Sequence, residues 1–310
     1  MVLKRTVAVT GAFSYSGSYI AGAFLKRGWE VITFTRRPDR PHPLSEKVKA
    51  YALDFSKPEQ ISERLHGVDT FVNTYWVRYN YPGSSFDLAV ENSRILIGAV
   101  GAAGVRRFVH ISVSKPDINS QLPYFRGKQK VEDLITNGKL SYSILRPTIV
   151  YADEEVLINN ITWLVSHFPV FPIPGDGQYR VQPIYAEDLA QQVVRSAEGK
   201  NNEILDAAGP EIFTFNELLQ LLKKISGSKV WLFHTPTSSA LLMAKVVSFI
   251  LGDVMLTKDE LTALIEERLV TGMPALGTTR FSDWAREHAQ TLGDHYVNEL
   301  KRHHGKETKI

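Results

Sequence analysis

The chain has 310 residues, of which 44% are hydrophobic and 22% charged; its formal net charge is +3 and it contains no cysteine. That length admits one large α/β unit or two domains sharing a cleft. The charge is too mild to argue for nucleic acid, and the missing cysteines exclude disulfide staples, thiolate metal sites and a cysteine nucleophile, so a reducing, cytoplasmic setting is expected.

The first ten residues, Met1-Val-Leu-Lys-Arg-Thr-Val-Ala-Val-Thr10, pass from two basic residues into a β-rich run, which reads as a strand and not as a secretory signal. Gly11 follows, and Ser18 to Arg27 carries apolar residues at helical spacing up to Gly28. Strands are predicted over Val31–Thr35, Val48–Leu53, Thr70–Thr74, Arg107–Ser112 and Ser141–Leu145, with helices over Phe86–Gly104 and Tyr124–Thr136. This alternation predicts an α/β fold: a doubly wound parallel sheet of the Rossmann kind, with a smaller, mainly helical C-terminal region for substrate.

The expected division is 1–150 for dinucleotide binding and 151–300 for substrate, with about 180–200 returning to the first domain and 301–310 a flexible tail. Phe168-Pro-Val-Phe-Pro-Ile-Pro-Gly175 reads as a proline-rich connector. The apolar segment Ser239–Leu256 is broken by Lys245 and Asp253, so it falls short of a membrane span. Met243, Lys245, Val246, Phe249 and Ile250 suit one face of an amphipathic helix, for which core packing is the default and a lid or a homodimer contact the alternatives.

Between the first strand and helix lies Thr10-Gly-Ala-Phe-Ser-Tyr-Ser-Gly17, where backbone amides and a helix N-terminus can receive a pyrophosphate. Gly11, Phe13, Ser14, Tyr15, Ser16 and Gly17 are therefore cofactor candidates, although Ser14 stands where the three-glycine pattern has its middle glycine. At the end of the second strand the slot for a ribose-binding acid holds Thr35, followed by Arg36 and Arg37, whose guanidinium groups suit a 2′-phosphate. NADP(H) is favoured over NAD on that ground. Asp54 and Phe55, after the third strand, are candidates on the adenine side, while an aspartate there also serves as a turn former.

Tyr124-Phe-Arg-Gly-Lys128 places a phenol and an ammonium on one helix face. A phenol with a reference pKa of about 10 exchanges protons poorly near neutrality unless a cation stabilises its phenolate, which Lys128 can do. Ser114, just past a strand end, can hold a carbonyl oxygen beside the phenol, with Ser112 as the competing choice.

The ordered set of glycine loop, Arg36, Asp54, Ser114, Tyr124/Lys128, Leu145-Arg-Pro-Thr148 and Pro183-Ile-Tyr-Ala-Glu-Asp188 resembles the extended and atypical short-chain dehydrogenase/reductases over about residues 2–200. The resemblance implies that Tyr124 is the acid/base, Lys128 its electrostatic and ribose partner, and Ser114 the carbonyl orienter. It also implies that Pro147 and Thr148 border the nicotinamide, that Asn73, Thr74 and Tyr75 lie against the cofactor, and that Asn92 is a weaker candidate. Tyr75, Trp76, Arg78, Tyr151, Trp163, Phe168 and Arg180 are expected toward a cleft mouth, and their aromatic excess suggests a small apolar or ring-bearing substrate, with core packing as the competing reading.

Nine scattered histidines, including His303-His304, form no helical pair and predict no metal site. The pairs Glu154-Glu155 and Glu266-Glu267 are expected to be solvated, and neither a nucleophile elbow nor a Walker loop is present. The expectation is an NADPH-dependent carbonyl reductase or alcohol dehydrogenase. The alternatives are a nucleotide-sugar epimerase or dehydratase that retains its NAD(P), and a non-catalytic cofactor-binding sensor or assembly subunit resembling the accessory Rossmann proteins of respiratory complex I.

Overall fold

The computed structural model describes residues 5–153 and 155–300; the first four residues, Glu154, and the expected tail 301–310 with His303-His304 lie outside them. In chain order the first elements are β1 (Thr6–Thr10), α1 (Tyr15–Lys26), β2 (Glu30–Thr35), β3 (Val48–Ala52), α2 (Pro58–Leu65) and β4 (Thr70–Asn73). Next come α3 (Phe86–Ala102), β5 (Arg107–Ile111), α4 (Pro123–Thr136), β6 (Tyr142–Pro147), β7 (Ile149–Tyr151), α5 (Val156–His167), β8 (Val170–Pro174), β9 (Arg180–Val181) and β10 (Pro183–Tyr185). The remainder are α6 (Ala186–Glu198), β11 (Glu203–Ala207), β12 (Phe213–Thr214), α7 (Phe215–Ile225), β13 (Trp231–Thr235), α8 (Thr237–Leu251), α9 (Lys258–Ile265) and α10 (Phe281–Glu287).

The chain divides into two units, Met1–Pro147 with Ala186–Ala207 and Met273–Gly277, and Thr148–Tyr185 with Ala208–Gly272 and Thr278–Ile310. The first is a seven-stranded sheet in the order β11-β6-β5-β4-β1-β2-β3, parallel at every pairing. Strand alternation explains its layers. Ala8, Phe34, Phe71, Phe108 and Ile144 turn to one face and pack with Ile61 and Leu65 of α2, Leu96 and Val100 of α3, and Val131 and Ile135 of α4. Val7, Val9, Val72, Val109 and Leu145, equally buried, belong to the opposite face, where α1 and α6 pack together.

Arg107 ties the returning segment to the sheet. It is fully buried, and its guanidinium donates to Ser196 O (3.0 Å), Ser141 Oγ (2.9 Å) and Asn201 O (2.9 Å), so burial is offset by a hydrogen bond at each nitrogen.

The second unit is held by Tyr151, Phe215, Leu218, Leu222, Phe281 and Trp284, around three two-stranded ladders and five helices. Capping boxes fix the starts of α7 (Thr214 with Glu217) and α9 (Thr257 with Glu260). The proline-rich stretch expected as a connector is instead strand β8, paired in parallel with β13. Trp231 N–H donates to Pro169 O and Gly175 N–H to Thr235 O, so the odd-numbered residues face β13 and Pro172 and Pro174 sit on the outer side of the ladder, where no N–H is required.

Candidate cofactor and active site

Thr10 closes β1, and Gly11 (φ +65°) turns the chain so that Ser14 N–H donates to Gly11 O at 2.8 Å. Ala12 N–H is held by Thr33 Oγ1, which itself donates to Val9 O, so β2 buttresses the loop. A Cβ on Gly17 would lie 2.1 Å from Gly11 O; only glycine lets α1 rise this close to the strand. The helix begins at Tyr15, three residues before the sequence-based start, because Ser14 already occupies the extended N-cap position. Its first turn, which includes the half-buried Tyr15 and Ser16, holds no acid, so no carboxylate of that turn offsets the partial positive charge of its N-terminus. The Ser14 side chain is exposed and makes no cap hydrogen bond, while Phe13 is buried and stacks on His42 at 5.0 Å.

Arg36 and Arg37 follow β2 and are exposed, and neither guanidinium forms an ion pair among the described residues. Asp54 serves the turn into α2: Oδ1 accepts from Ser56 N–H (3.0 Å) and Ser56 Oγ (2.6 Å), and these bonds hold its carboxyl below the usual range. The turn-forming role left open for it in the sequence is the one this structure displays. Phe55 packs 5.0 Å from Tyr75, whose phenol receives a hydrogen bond from Asn92 Nδ2 (2.7 Å). Burial pushes the Tyr75 pKa up, opposed by that bond and by the charge of Arg36. Asn92 is thus engaged with Tyr75.

Asn73 and Thr74 lock the ends of β1 and β4. Thr74 N–H donates to Thr10 Oγ1 (2.7 Å), and the Thr74 hydroxyl donates to Thr10 O. The buried Asn73 accepts from Tyr75 N–H (3.1 Å) and pairs through Nδ2 with His110 Nδ1 (3.2 Å).

α4 starts with Pro123 in its first turn, where a missing N–H is harmless, and carries Tyr124 and Lys128 one turn apart. The half-buried Tyr124 ring stands edge-on to Trp76 (6.0 Å) and Phe86 (5.8 Å), themselves stacked at 6.2 Å. Lys128 is 3% exposed; its Nζ donates to Ile111 O at 2.9 Å and lies 4.7 Å from the centre of the Trp76 ring. Burial pulls its pKa down to about 7, partly opposed by Glu132 one turn on, a buried carboxylate paired with Arg146. The same burial, with the charge of Lys128, keeps His110 well below the usual histidine range, and its Nε2 has no hydrogen-bond partner among the described residues.

Both candidate orienting serines are buried past β5. Ser112 N–H donates to Leu145 O and Ser114 N–H to Pro147 O, so each is fixed by β6.

In the second unit, Thr148 spends its hydroxyl on Gln182 O, and Tyr151 is fully buried, packed on Phe281 and Trp284 with its phenol on Thr279 O (3.1 Å). Tyr151 is thus core, against the expectation of a cleft position. Arg180 pairs bidentately with Glu267 (2.9 and 2.6 Å), and Glu155 caps α5 through Leu157 and Ile158 N–H; neither carboxylate is merely solvated, as their pairs were expected to be. Trp163 stacks on His167 (4.7 Å), and Arg78, in the first unit, lies over Tyr79 (5.8 Å). No cluster of three or more potential metal ligands occurs among the described residues.

Sequence reasoning missed Phe86, His110 and Gly127 as parts of this site. Gly127 carried a signal: glycine inside a helix costs about 0.5–1 kcal/mol relative to alanine, which marks a close approach. Here a Cβ would come within 3.0 Å of the Trp76 ring.

Residues 11–163 match the family described as NAD(P)H-binding. The chain has a Rossmann fold, and the family match spans just under half of its length. Across 91% of this Rossmann protein and 99% of its counterpart, the fold superposes on an NADPH-dependent quinone oxidoreductase from Escherichia coli with a TM-score of 0.77 and 19% identity. In sequence it is 24% identical over 228 residues to the mitochondrial NADH dehydrogenase [ubiquinone] 1 alpha subcomplex subunit 9 of Arabidopsis thaliana, covering 69% of this chain and 56% of that one. It is 22% identical over 240 residues to the photosystem II assembly factor Ycf39 of Cyanophora paradoxa, covering 74% and 72%. The chain therefore spans less than two thirds of the length of its mitochondrial relative.

Proposed function

We propose that this Rossmann protein is an NADPH-dependent short-chain dehydrogenase/reductase that reduces a carbonyl of a small apolar or ring-bearing molecule, with Tyr124 as the proton donor. One observation carries the reading: Tyr124 and Lys128 share a face of α4, and Lys128 reaches Ile111 at the carboxyl end of β5, the edge of the parallel sheet to which the glycine loop after β1 also belongs. The residues fit the cofactor, since Gly17 leaves room at the loop, α1 opens without an acid, and Arg36 and Arg37 are uncommitted at the end of β2 for a 2′-phosphate.

Bound NADPH would supply the reducing equivalents. Tyr124 gives its phenolic proton to the carbonyl oxygen, which Ser114 holds in place. Lys128, with a pKa of about 7, is a mixture of ammonium and amine at neutrality and can return a proton to the phenolate. Trp76 and Phe86 close the sides of the phenol against water. The likeness to a quinone oxidoreductase supports ring-bearing substrates. No described helix is long and apolar enough to cross a membrane.

The test is turnover of NADPH with quinones and aromatic aldehydes, alongside binding of NADPH and NADH by calorimetry. Tyr124→Phe should abolish turnover and spare NADPH binding, and Arg36→Ala/Arg37→Ala should bring NADPH affinity down to that of NADH. Full turnover in Tyr124→Phe, or no preference for NADPH in the parent protein, overturns the assignment.

A second reading, an NADP-binding assembly or sensor subunit without turnover, is favoured by the relatives named for complex I and photosystem II assembly. Tight NADPH binding without turnover, together with a stable protein partner, would select it.

A further inference from the structure

We infer that α8 is a docking face for the surface of an anionic lipid bilayer. The helix packs against β8, with Ala240 buried and Met243, Ala244 and Val247 half-buried, yet its other side is apolar too. Leu242, Val246, Phe249 and Ile250, at helical spacing, form one exposed stripe, with Phe249 89% and Ile250 69% exposed. Core packing, the default from the sequence, therefore fails for this face. Such a contiguous apolar stripe marks a contact surface and not ordinary scatter.

The stripe is held firmly outward. Gly252 (φ +61°) ends α8, and Asn298 Nδ2 donates to both Leu251 O and Gly252 O at 3.1 Å. Asp253 is buried and accepts from Val254, Glu299 and Leu300 N–H and from the Tyr296 hydroxyl.

Charge selects the occupant. From Lys223 through Thr257 the charged residues are Lys223, Lys224, Lys229, Lys245 and the single acid Asp253, which is buried, so the charge this stretch shows to solvent is cationic. Lys245 stands within the apolar stripe. Two copies meeting through this face about a twofold axis would oppose like charges. An apolar helix face that carries an exposed lysine and no acid of its own matches an anionic lipid interface. At 15 residues, α8 is about 22 Å long, shorter than a bilayer's hydrocarbon core, so it lies on the surface.

Flotation with phosphatidylcholine vesicles containing about one third phosphatidylglycerol tests this, with pure phosphatidylcholine as the comparison. The protein should float with the anionic vesicles and lose binding as salt rises. Phe249→Ser/Ile250→Ser should lower partitioning about a hundredfold, and Lys245→Glu about tenfold. All three residues are exposed, so circular dichroism should be unchanged. The inference is overturned if the parent protein stays with the vesicle-free fraction, if the double variant floats as well as the parent, or if sedimentation velocity shows a dimer that the double variant dissolves. None of these readouts depends on the cofactor or on turnover.

Discussion

Replacing Lys128 by Met should stabilise the cofactor-free protein while removing the ammonium from the site. Burial lowers the Lys128 pKa from 10.5 to about 7. The unfolded chain keeps the higher value, so between pH 7 and 10.5 it binds the extra proton, and stability rises with pH across that window. At 1.36 kcal/mol per pKa unit, holding this group costs the folded state about 4 kcal/mol at pH 7 and about 2 kcal/mol at pH 9, and the full amount below pH 7, where both states are protonated. Urea unfolding from roughly pH 6 to pH 9 reads this directly. The parent should gain about 2 kcal/mol between pH 7 and pH 9 relative to Lys128→Met, and the variant should be the more stable of the two at pH 7. Equal pH slopes in the two proteins, or a less stable variant, would refute the reasoning.

Gly17→Ala puts a methyl group 2.1 Å from Gly11 O, so it should cost about 1–3 kcal/mol of stability and weaken NADPH binding at least tenfold by calorimetry. Arg107→Met strands the buried carbonyl of Ser196 and should lower the unfolding free energy by about 1–3 kcal/mol; an unchanged urea midpoint would show that the buried guanidinium anchors nothing.

Six of the seven strands of the parallel sheet could be read in advance from short runs rich in β-branched and aromatic residues, whereas β11, Glu-Ile-Leu-Asp-Ala, carries no such run and was not predicted. The glycine loop and the Tyr124/Lys128 spacing were visible for the same local reason. What the sequence hid were matters of partner and side. β8 looks like a connector because two of its five residues are proline, and only the pairing with β13 reveals that both stand on the free edge. Periodicity announced α8 but could not say which of its two apolar sides is covered. Tyr151 was placed near ligand by position in the chain, whereas a packed aromatic cluster claims it. Trp76 was recognised, but its place across Tyr124 and Lys128 depends on Phe86 and on the space that Gly127 leaves.

The strap made by Arg107 bears on how the protein is born. Its acceptors Ser196 and Asn201 lie far downstream of the strand that carries it, and the edge strand β11 follows them. A ribosome that has delivered everything through Pro147 has made six of the seven strands, yet the arginine would still face water and α1 would lack its neighbour α6. Completion of the first unit thus awaits translation of Gly277, by which time Thr148–Tyr185 and Ala208–Gly272 of the second have already been made, so neither can be assembled wholly before the other begins.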